Sequence, residues 1–230
     1  MSGARRSLRP AGWPARAEYV RRYRVPDLLP GAPESARAVF VGESPHRDEV
    51  VPETPEERTP FRGMAGREWW SAVARLAGRE IAVKPMPPRA VLEPLCQDLG
   101  IGLLNAVQYP LDPGITRHTG DDADPASALG FAKATGPTSY KRVFKEPDLF
   151  NPVAQAIEDL RARLAPFVEA GVPVVCLGND SRWFVDQALA ENAEALARVQ
   201  VMPHPSSWWR NANNRTRAMD VLGRVLSAGR

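Results

Sequence analysis

The sequence has few of the residues that mark metal-dependent and disulfide-bonded proteins. It contains only two cysteines, Cys96 and Cys176, which lie far apart, each within an apolar segment. They form no C-x-x-C pair, and an iron–sulfur cluster normally needs four cysteine thiolates. Two isolated cysteines of this kind are more simply core residues than a disulfide or a metal site. We therefore expect no metal, no iron–sulfur cluster and no other cofactor.

Long hydrophobic runs and glycine-rich nucleotide motifs are also missing. No apolar stretch follows the N-terminal arginines as a signal peptide would require, and none could span a membrane. G-x-G-x-x-G and G-x-x-x-x-G-K do not occur, so a nucleotide-binding domain that acts on small molecules has no support from motifs. We expect a cytoplasmic protein without membrane contact, with a monomer as the default.

The composition is that of one globular domain with a basic beginning. The chain has 230 residues, 43% hydrophobic and 25% charged, with a formal net charge of +3 and a pI near 9.1. Arginines crowd the start of the chain: Arg5, Arg6, Arg9, Arg16, Arg21, Arg22 and Arg24. We predict a basic arm over residues 1–30, which either meets nucleic acid or is a solvated terminus. A single domain follows over 31–230.

The apolar pattern predicts an α/β fold. Four short runs rich in β-branched residues predict strands at 38–41, 101–104, 172–177 and 199–202. Longer segments with helical spacing predict helices at about 66–77, 89–99, 152–170, 181–197 and 214–228. This alternation favours a three-layer αβα sandwich around a central, mainly parallel four-stranded sheet. A Gly-, Pro- and Asp-rich insertion at about 111–150 interrupts the pattern.

Polar and turn-forming residues follow every predicted strand. The four strands are followed by residues 42–46 (Gly-Glu-Ser-Pro-His), by Asn105, by 178–180 (Gly-Asn-Asp) and by 204–207 (His-Pro-Ser-Ser). In open parallel sheets, ligands bind outside the carboxyl ends of the strands. These residues therefore predict a functional site along one rim of the sheet.

The order of these motifs resembles that of the uracil-DNA glycosylase superfamily. The matching pieces are residues 42–45, Glu49, residues 60–66 (Pro-Phe-Arg-Gly-Met-Ala-Gly), Asn105, Gly178 and residues 204–206. They are most similar to the thermophile-type, iron–sulfur branch, whose first motif reads Gly-Glu-x-Pro-Gly. His46 replaces the last glycine of that motif, and the cluster cysteines are absent. The sequence thus resembles a divergent, cluster-free member of the superfamily.

The resemblance implies a monofunctional DNA glycosylase, which flips a base out of single- or double-stranded DNA and hydrolyses its N-glycosidic bond to leave an abasic site. Cleavage develops positive charge on the sugar and negative charge on the base. Glu43 is the candidate that orients water and stabilises the cation, and His204 the candidate donor to the departing base. Phe61 would stack on the flipped base and Asn105 would read its edge. Structural alternatives are a helix cap for Glu43, a core ring for Phe61 and a turn or cap residue at the strand end for Asn105.

Further residues are predicted to bind the base or the DNA strand. Ser44 and His46 join the base-binding set, and the strand-binding set is Pro45, Ser206, Ser207, Trp208, Arg210, Lys141 and Arg142. Trp208 stands where the ubiquitous branch carries an apolar wedge, and Trp209 is expected to anchor the loop. The serine turns could instead be tight connections, and the residues after Trp209 could cap the last helix.

Uracil is the default substrate base, consistent with DNA repair. A modified cytosine, for example in hypermodified phage DNA and so in anti-phage defence, is an alternative suggested by His46 and by the 111–150 insertion. The competing function is a catalytically inactive DNA-binding protein that keeps the glycosylase fold.

Overall fold

The central element of the fold is a four-stranded, wholly parallel sheet. A computed structural model of the chain describes residues 13–117, 128–131, 139–145 and 151–227. Its strands are β1 (Ala38–Gly42), β2 (Ile101–Asn105), β3 (Val174–Leu177) and β4 (Gln200–Met202), in the spatial order β2-β1-β3-β4. Every strand pairing is parallel. The predicted α/β sandwich with a four-stranded sheet is therefore confirmed.

Helices cover the sheet on both faces. Those described are α1 (Trp13–Tyr23), α2 (Arg47–Val50), α3 (Gly63–Ala77), α4 (Arg89–Leu99), α5 (Pro113–Arg117), α6 (Ser139–Val143), α7 (Pro152–Glu169), α8 (Asn179–Ala188), α9 (Ala193–Arg198) and α10 (Ala212–Ser227). Helices α1, α7 and α8 contribute to one apolar cluster, and α3, α4 and α10 contribute to the other. Alternate residues of the central strand divide between the two clusters: Val39 and Val41 face the first, and Ala38 and Phe40 the second.

The described part of the predicted N-terminal arm belongs to this core. Tyr19 and Tyr23 of α1 are buried in the first cluster. After the helix, Val25 donates a backbone hydrogen bond to Gln108, and Leu28 exchanges backbone hydrogen bonds with Leu103 of β2. The segment from Tyr19 to Leu28 is thus integrated with the sheet, whereas residues 1–12 lie outside the described residues.

Two sequence expectations about helices and cysteines can be compared directly with the structure. The helix predicted at 181–197 is wrong, because two helices lie there: α8 ends at Ala188, and Asn192 caps α9 by accepting from the Ala195 amide at 2.9 Å. The other predicted helices begin or end within a few residues of the observed ones. Cys96 and Cys176 are buried thiols in clusters on opposite faces of the sheet, as expected of core residues. Burial raises the pKa of each to about 12.

Candidate functional site

The carboxyl ends of the strands bring the predicted site residues to one rim. The loops after β1 and β2 are joined by backbone hydrogen bonds from Ala106 to Gly42 (2.8 Å) and from Val107 to Glu43 (2.9 Å). The loops after β3 and β4 are joined by the bond from Gly178 to Met202 (3.0 Å). Helix α3, which follows Phe61, packs against the turn after His204. We call Glu43, Phe61, Asn105 and His204 the rim site.

Gly42 is the point where Phe61 and Asn105 approach each other. Gly42 pairs in register with Asn105 on the neighbouring strand. The side chains of Phe61 and Asn105 both lie close to it. A Cβ at this position would lie 2.8 Å from Asn105 Oδ1 and 2.9 Å from Phe61 Cε1, so a side chain here would displace at least one of these two groups. A flat ring and an amide oxygen therefore border the same place, directly before Glu43 in the chain.

Phe61 is held in an unfavourable backbone conformation. It has a φ of 61°, a left-handed value that non-glycine residues seldom adopt. Its carbonyl oxygen would lie 1.9 Å from a Cβ at Gly66, so the glycine permits this turn. Trp69 meets the Phe61 ring edge to face, with centroids 5.4 Å apart. Phe61 is buried and belongs to the core as well as bordering the rim site.

The amide of Asn105 is oriented by a buried carboxyl group that the sequence motif includes but to which we assigned no role. Asn105 Nδ2 donates to Glu49 Oε2 at 2.8 Å, and both residues are buried. Burial raises the pKa of Glu49 to about 8, although hydrogen bonds from Asn105 and from backbone groups that include Phe61 oppose this shift. Glu49 therefore connects the amide to the backbone that carries the ring.

The backbone at Asn105 is held by a second group, the guanidinium of Arg163. Arg163 on α7 donates to the carbonyl oxygens of Asn105 (3.1 Å) and Ala106 (2.9 Å). The same guanidinium pairs with the largely buried carboxylate of Asp27 at 3.2 Å. Burial raises the pKa of Asp27, while Arg163 and the amide of Gln108 counteract this shift. No local sequence pattern indicates this network, because its members are scattered along the chain.

The turn after β1 carries Glu43, half-buried Ser44, buried Pro45 and exposed His46. Glu43 is half-buried and does not cap α2, because the cap is His46, whose Nδ1 accepts from the Asp48 amide at 3.5 Å. The His46 side chain is 56% exposed. A Cβ at Gly63 would lie 3.0 Å from His46 Nδ1, so the His46 imidazole lies close to the start of α3.

His204 begins the short 3-10 helix Pro205–Ser207 at the end of β4 and is exposed. Its Nδ1 accepts from the Ser206 backbone amide at 3.3 Å and lies 2.7 Å from Ser206 Oγ. An accepting Nδ1 places the proton of a neutral imidazole on Nε2. In that tautomer His204 would donate through Nε2, and its role toward a departing base stays a prediction.

The burial of the two tryptophans in the loop after β4 is the reverse of our expectation. Trp208 is 2% exposed, and its Nε1 donates to the Pro203 carbonyl at 2.9 Å, so it anchors the loop in the core. Trp209, the expected anchor, is 53% exposed, and the Arg210 guanidinium lies 4.2 Å from the centre of its ring. A projecting Trp208 is therefore a wrong expectation for this conformation, because its indole is packed and hydrogen-bonded.

The remaining predicted strand-binding residues differ in what they contact. Ser206 is exposed beside His204, whereas Ser207 Oγ donates to the His204 carbonyl (2.8 Å) and accepts from Asn214 (3.1 Å), as a tight connection would. On α6, Lys141 Nζ lies 3.9 Å from Asp180 Oδ1, and Arg142 is exposed. The binding of DNA by these residues, and by Pro45 and Arg210, stays a prediction.

The structure adds two negative findings. Among the described residues, no three His, Cys, Asp or Glu side chains are grouped so that they could hold a metal ion. Within the same part of the chain, no helix is both long and apolar enough to cross a bilayer. The sequence matches no protein-family model, and no curated protein is significantly similar to it.

Proposed function

We propose that this protein is a monofunctional DNA glycosylase of the uracil-DNA glycosylase type, which needs no cofactor. The observation that carries the proposal is the meeting of Phe61 and Asn105 at Gly42, beside Glu43 and on the same rim as His204. A ring that can stack on a planar base, next to an amide that can read its edge, is what base recognition requires.

The two catalytic roles divide between opposite ends of the scissile bond. The Glu43 carboxylate orients the attacking water and stabilises the positive charge that develops on the sugar. The Nε2 proton of His204 stabilises the negative charge that develops on the departing pyrimidine. The tautomer favoured by the contacts at Nδ1 supports this second role.

Base release measured by mass spectrometry tests the proposal. Uracil-containing, hydroxymethylcytosine-containing and glucosylated DNA are offered in single- and double-stranded form to the wild type, Glu43→Gln and His204→Ala. We expect free uracil from the wild type, at a rate at least a hundredfold lower in both variants. Release of only a modified cytosine would instead assign the protein to defence against modified phage DNA.

A matched control keeps the test specific. Glu34 is an exposed carboxylate in the 3-10 helix Pro33–Ser35, which precedes the amino end of β1 and so lies at the opposite end of that strand from the rim site; Glu34→Gln should release bases at the wild-type rate. If the wild type binds these DNAs but releases no base from any of them, the glycosylase proposal fails. The protein is then a DNA-binding protein that lacks the activity.

A further inference from the structure

A cleft of about 720 Å³ lies between the second half of α1 and the segment 50–58. Its apolar lining includes the buried side chains of Tyr23 and Val50 and the half-buried Pro55. Val51 also borders the cleft and is 65% exposed, the highest value among the large apolar side chains that the structure describes. One surface patch therefore holds both an apolar cleft and an exposed apolar side chain beside it.

The charged groups around this cleft have both signs. Arg21 on α1 and Glu53 on the opposite wall are exposed, and Glu18 lies one turn before Arg21. None of these three side chains pairs with another residue that the structure describes. A nucleic-acid strand carries only negative charge, so Glu18 and Glu53 would oppose it. A second copy of the same patch offers an opposite charge for each of these groups.

The two walls of the cleft are held together by Arg58, which is 5% exposed. Its guanidinium donates to the carbonyl oxygens of Arg22 (2.6 Å) and Arg24 (3.1 Å) at the end of α1. It also donates to the carbonyl oxygen of Pro52 (2.8 Å) in the opposite wall. A cleft whose walls are fixed in this way needs little reordering when a partner enters it.

We infer that this cleft is the contact surface of a symmetric homodimer, in which Val51 of each copy enters the cleft of the other and Arg21 faces Glu53 across the two-fold axis. A two-fold contact uses the same patch on both copies, so the patch must complement itself in shape and in charge. One cleft and one valine make a small interface, so we expect a weak, reversible dimer in place of the default monomer. The inference does not depend on the proposed function.

Sedimentation velocity of the full chain at about 5 to 500 µM tests the inference, since small interfaces bind weakly. We expect the apparent mass to rise with concentration from that of the 25.3 kDa monomer toward twice that value. Val51→Asp, Arg21→Glu and Glu53→Arg should each weaken association about tenfold or more, because a charge enters an apolar contact or faces a like charge. A monomer at every concentration would overturn the inference.

Exchange of the two charges tests the assigned pairing. In the double variant Arg21→Glu/Glu53→Arg, opposite charges face each other again across the two-fold axis. The same holds for an equimolar mixture of the two single variants, which should form a heterodimer. Both samples should associate like the wild type, and failure of either to do so would overturn the inference.

Two matched controls change the same kinds of side chain elsewhere. Val91 on α4 and Arg217 on α10 are exposed, and both helices cover the face of the sheet opposite to α1. Val91→Asp and Arg217→Glu should associate like the wild type. Loss of association in these two variants as well would show a general effect of charge and would overturn the assignment to the cleft.

A photo-crosslinker attached at Thr54→Cys, an exposed position in the wall of the cleft, identifies the occupant. Both native cysteines are buried, so the new thiol takes the label. In a mixture of isotopically light and heavy chains, we expect crosslinks between a light and a heavy chain. A crosslink within one chain to residues 1–12 would assign the cleft to that segment, and a crosslink to an added DNA strand would assign it to DNA. Either result would overturn the inference.

Discussion

The side-chain amide of Asn105 donates to the buried carboxyl group of Glu49 across 2.8 Å. The contact turns Asn105 Oδ1 toward Gly42, where it would lie 2.8 Å from a Cβ. An amide can reverse its donor and acceptor ends by a simple rotation, and a fixed partner at one end removes that freedom. Glu49 therefore decides which hydrogen-bonding atom Asn105 offers at the rim site.

The raised pKa of Glu49 predicts a specific dependence of stability on pH. The carboxyl holds its proton up to about pH 8 in the folded protein but only to its ordinary value of 4.5 when unfolded. Between these values the folded state binds more protons, so the free energy of unfolding falls as pH rises. The contribution of Glu49 to the free energy of unfolding is complete below pH 4.5 and is lost as the pH rises through 8. The total loss is on the order of a few kcal/mol.

Glu49→Gln should remove this part of the pH dependence. Denaturant unfolding of the wild type and the variant from pH 4.5 to 9 measures the difference between their slopes. Asp27 also has a raised pKa and contributes in the same direction in both proteins, so the difference isolates Glu49. Parallel stability curves would show that Glu49 keeps its charge in the fold and would refute the assignment.

The backbone of Phe61 predicts that Gly66 tolerates no side chain. Gly66→Ala would place a Cβ 1.9 Å from the Phe61 carbonyl oxygen, and two backbone segments must then move apart. We expect a loss of about 2 to 4 kcal/mol in unfolding free energy, from overpacking and strain together. The matched control is Gly223→Ala in α10, where a Cβ meets nothing within 4 Å and should stabilise the helix by about 0.5 to 1 kcal/mol. Similar effects of the two variants would contradict the close approach.

The different burial of Trp208 and Trp209 predicts that their removal has very unequal effects on stability. Trp208→Ala removes a ring that is 2% exposed and leaves the Pro203 carbonyl unsatisfied, so it should cost about 3 to 5 kcal/mol. Trp209→Ala removes a ring that is 53% exposed and should change stability by no more than about 0.5 kcal/mol. Thermal melts of both variants measure the contrast. A large loss in Trp209→Ala would mean that the indole is not exposed in solution.

The sheet and most helices were predictable because their signals are local. Short β-branched runs and helical spacing are read from adjacent residues, and the parallel arrangement follows from their alternation. The gathering of polar residues at one rim of the sheet was predictable for the same reason, because these residues stand directly after the strands. The break between α8 and α9 was missed because a single side chain, Asn192, starts the second helix within a continuous helical pattern.

The finer structure of the site depends on contacts between distant residues. Glu49 and Asn105 are 56 positions apart, and Arg163 is 58 positions from Asn105. Trp208 and Trp209 are chemically identical neighbours, so only the path of the loop decides which ring is buried. The spacing of Glu49 within the motif was the one signal that could have indicated its importance, but it did not reveal its partner.

The contacts of Arg163 predict that it positions Asn105 as well as stabilising the fold. Arg163→Lys keeps the charge, but an ammonium group cannot reach Asp27 and the carbonyls of Asn105 and Ala106 at once. We expect a loss of about 2 to 4 kcal/mol in stability, since a buried pair loses its geometry. Arg79→Lys is the matched control, because its ion pair with Asp98 is exposed and should contribute at most about 1 kcal/mol.

A structural role alone would lower the amount of folded protein without changing the selectivity of the proposed base release. Displacement of the Asn105 backbone should instead change which bases are released, because the amide that we propose reads the base edge is attached to it. Rates of release from uracil- and cytosine-containing strands, each normalised to folded protein, give this ratio for Arg163→Lys and the wild type. A lower ratio of uracil to cytosine release supports positioning through Arg163. An unchanged ratio in a destabilised but active variant would confine Arg163 to holding α7 against the loop after β2.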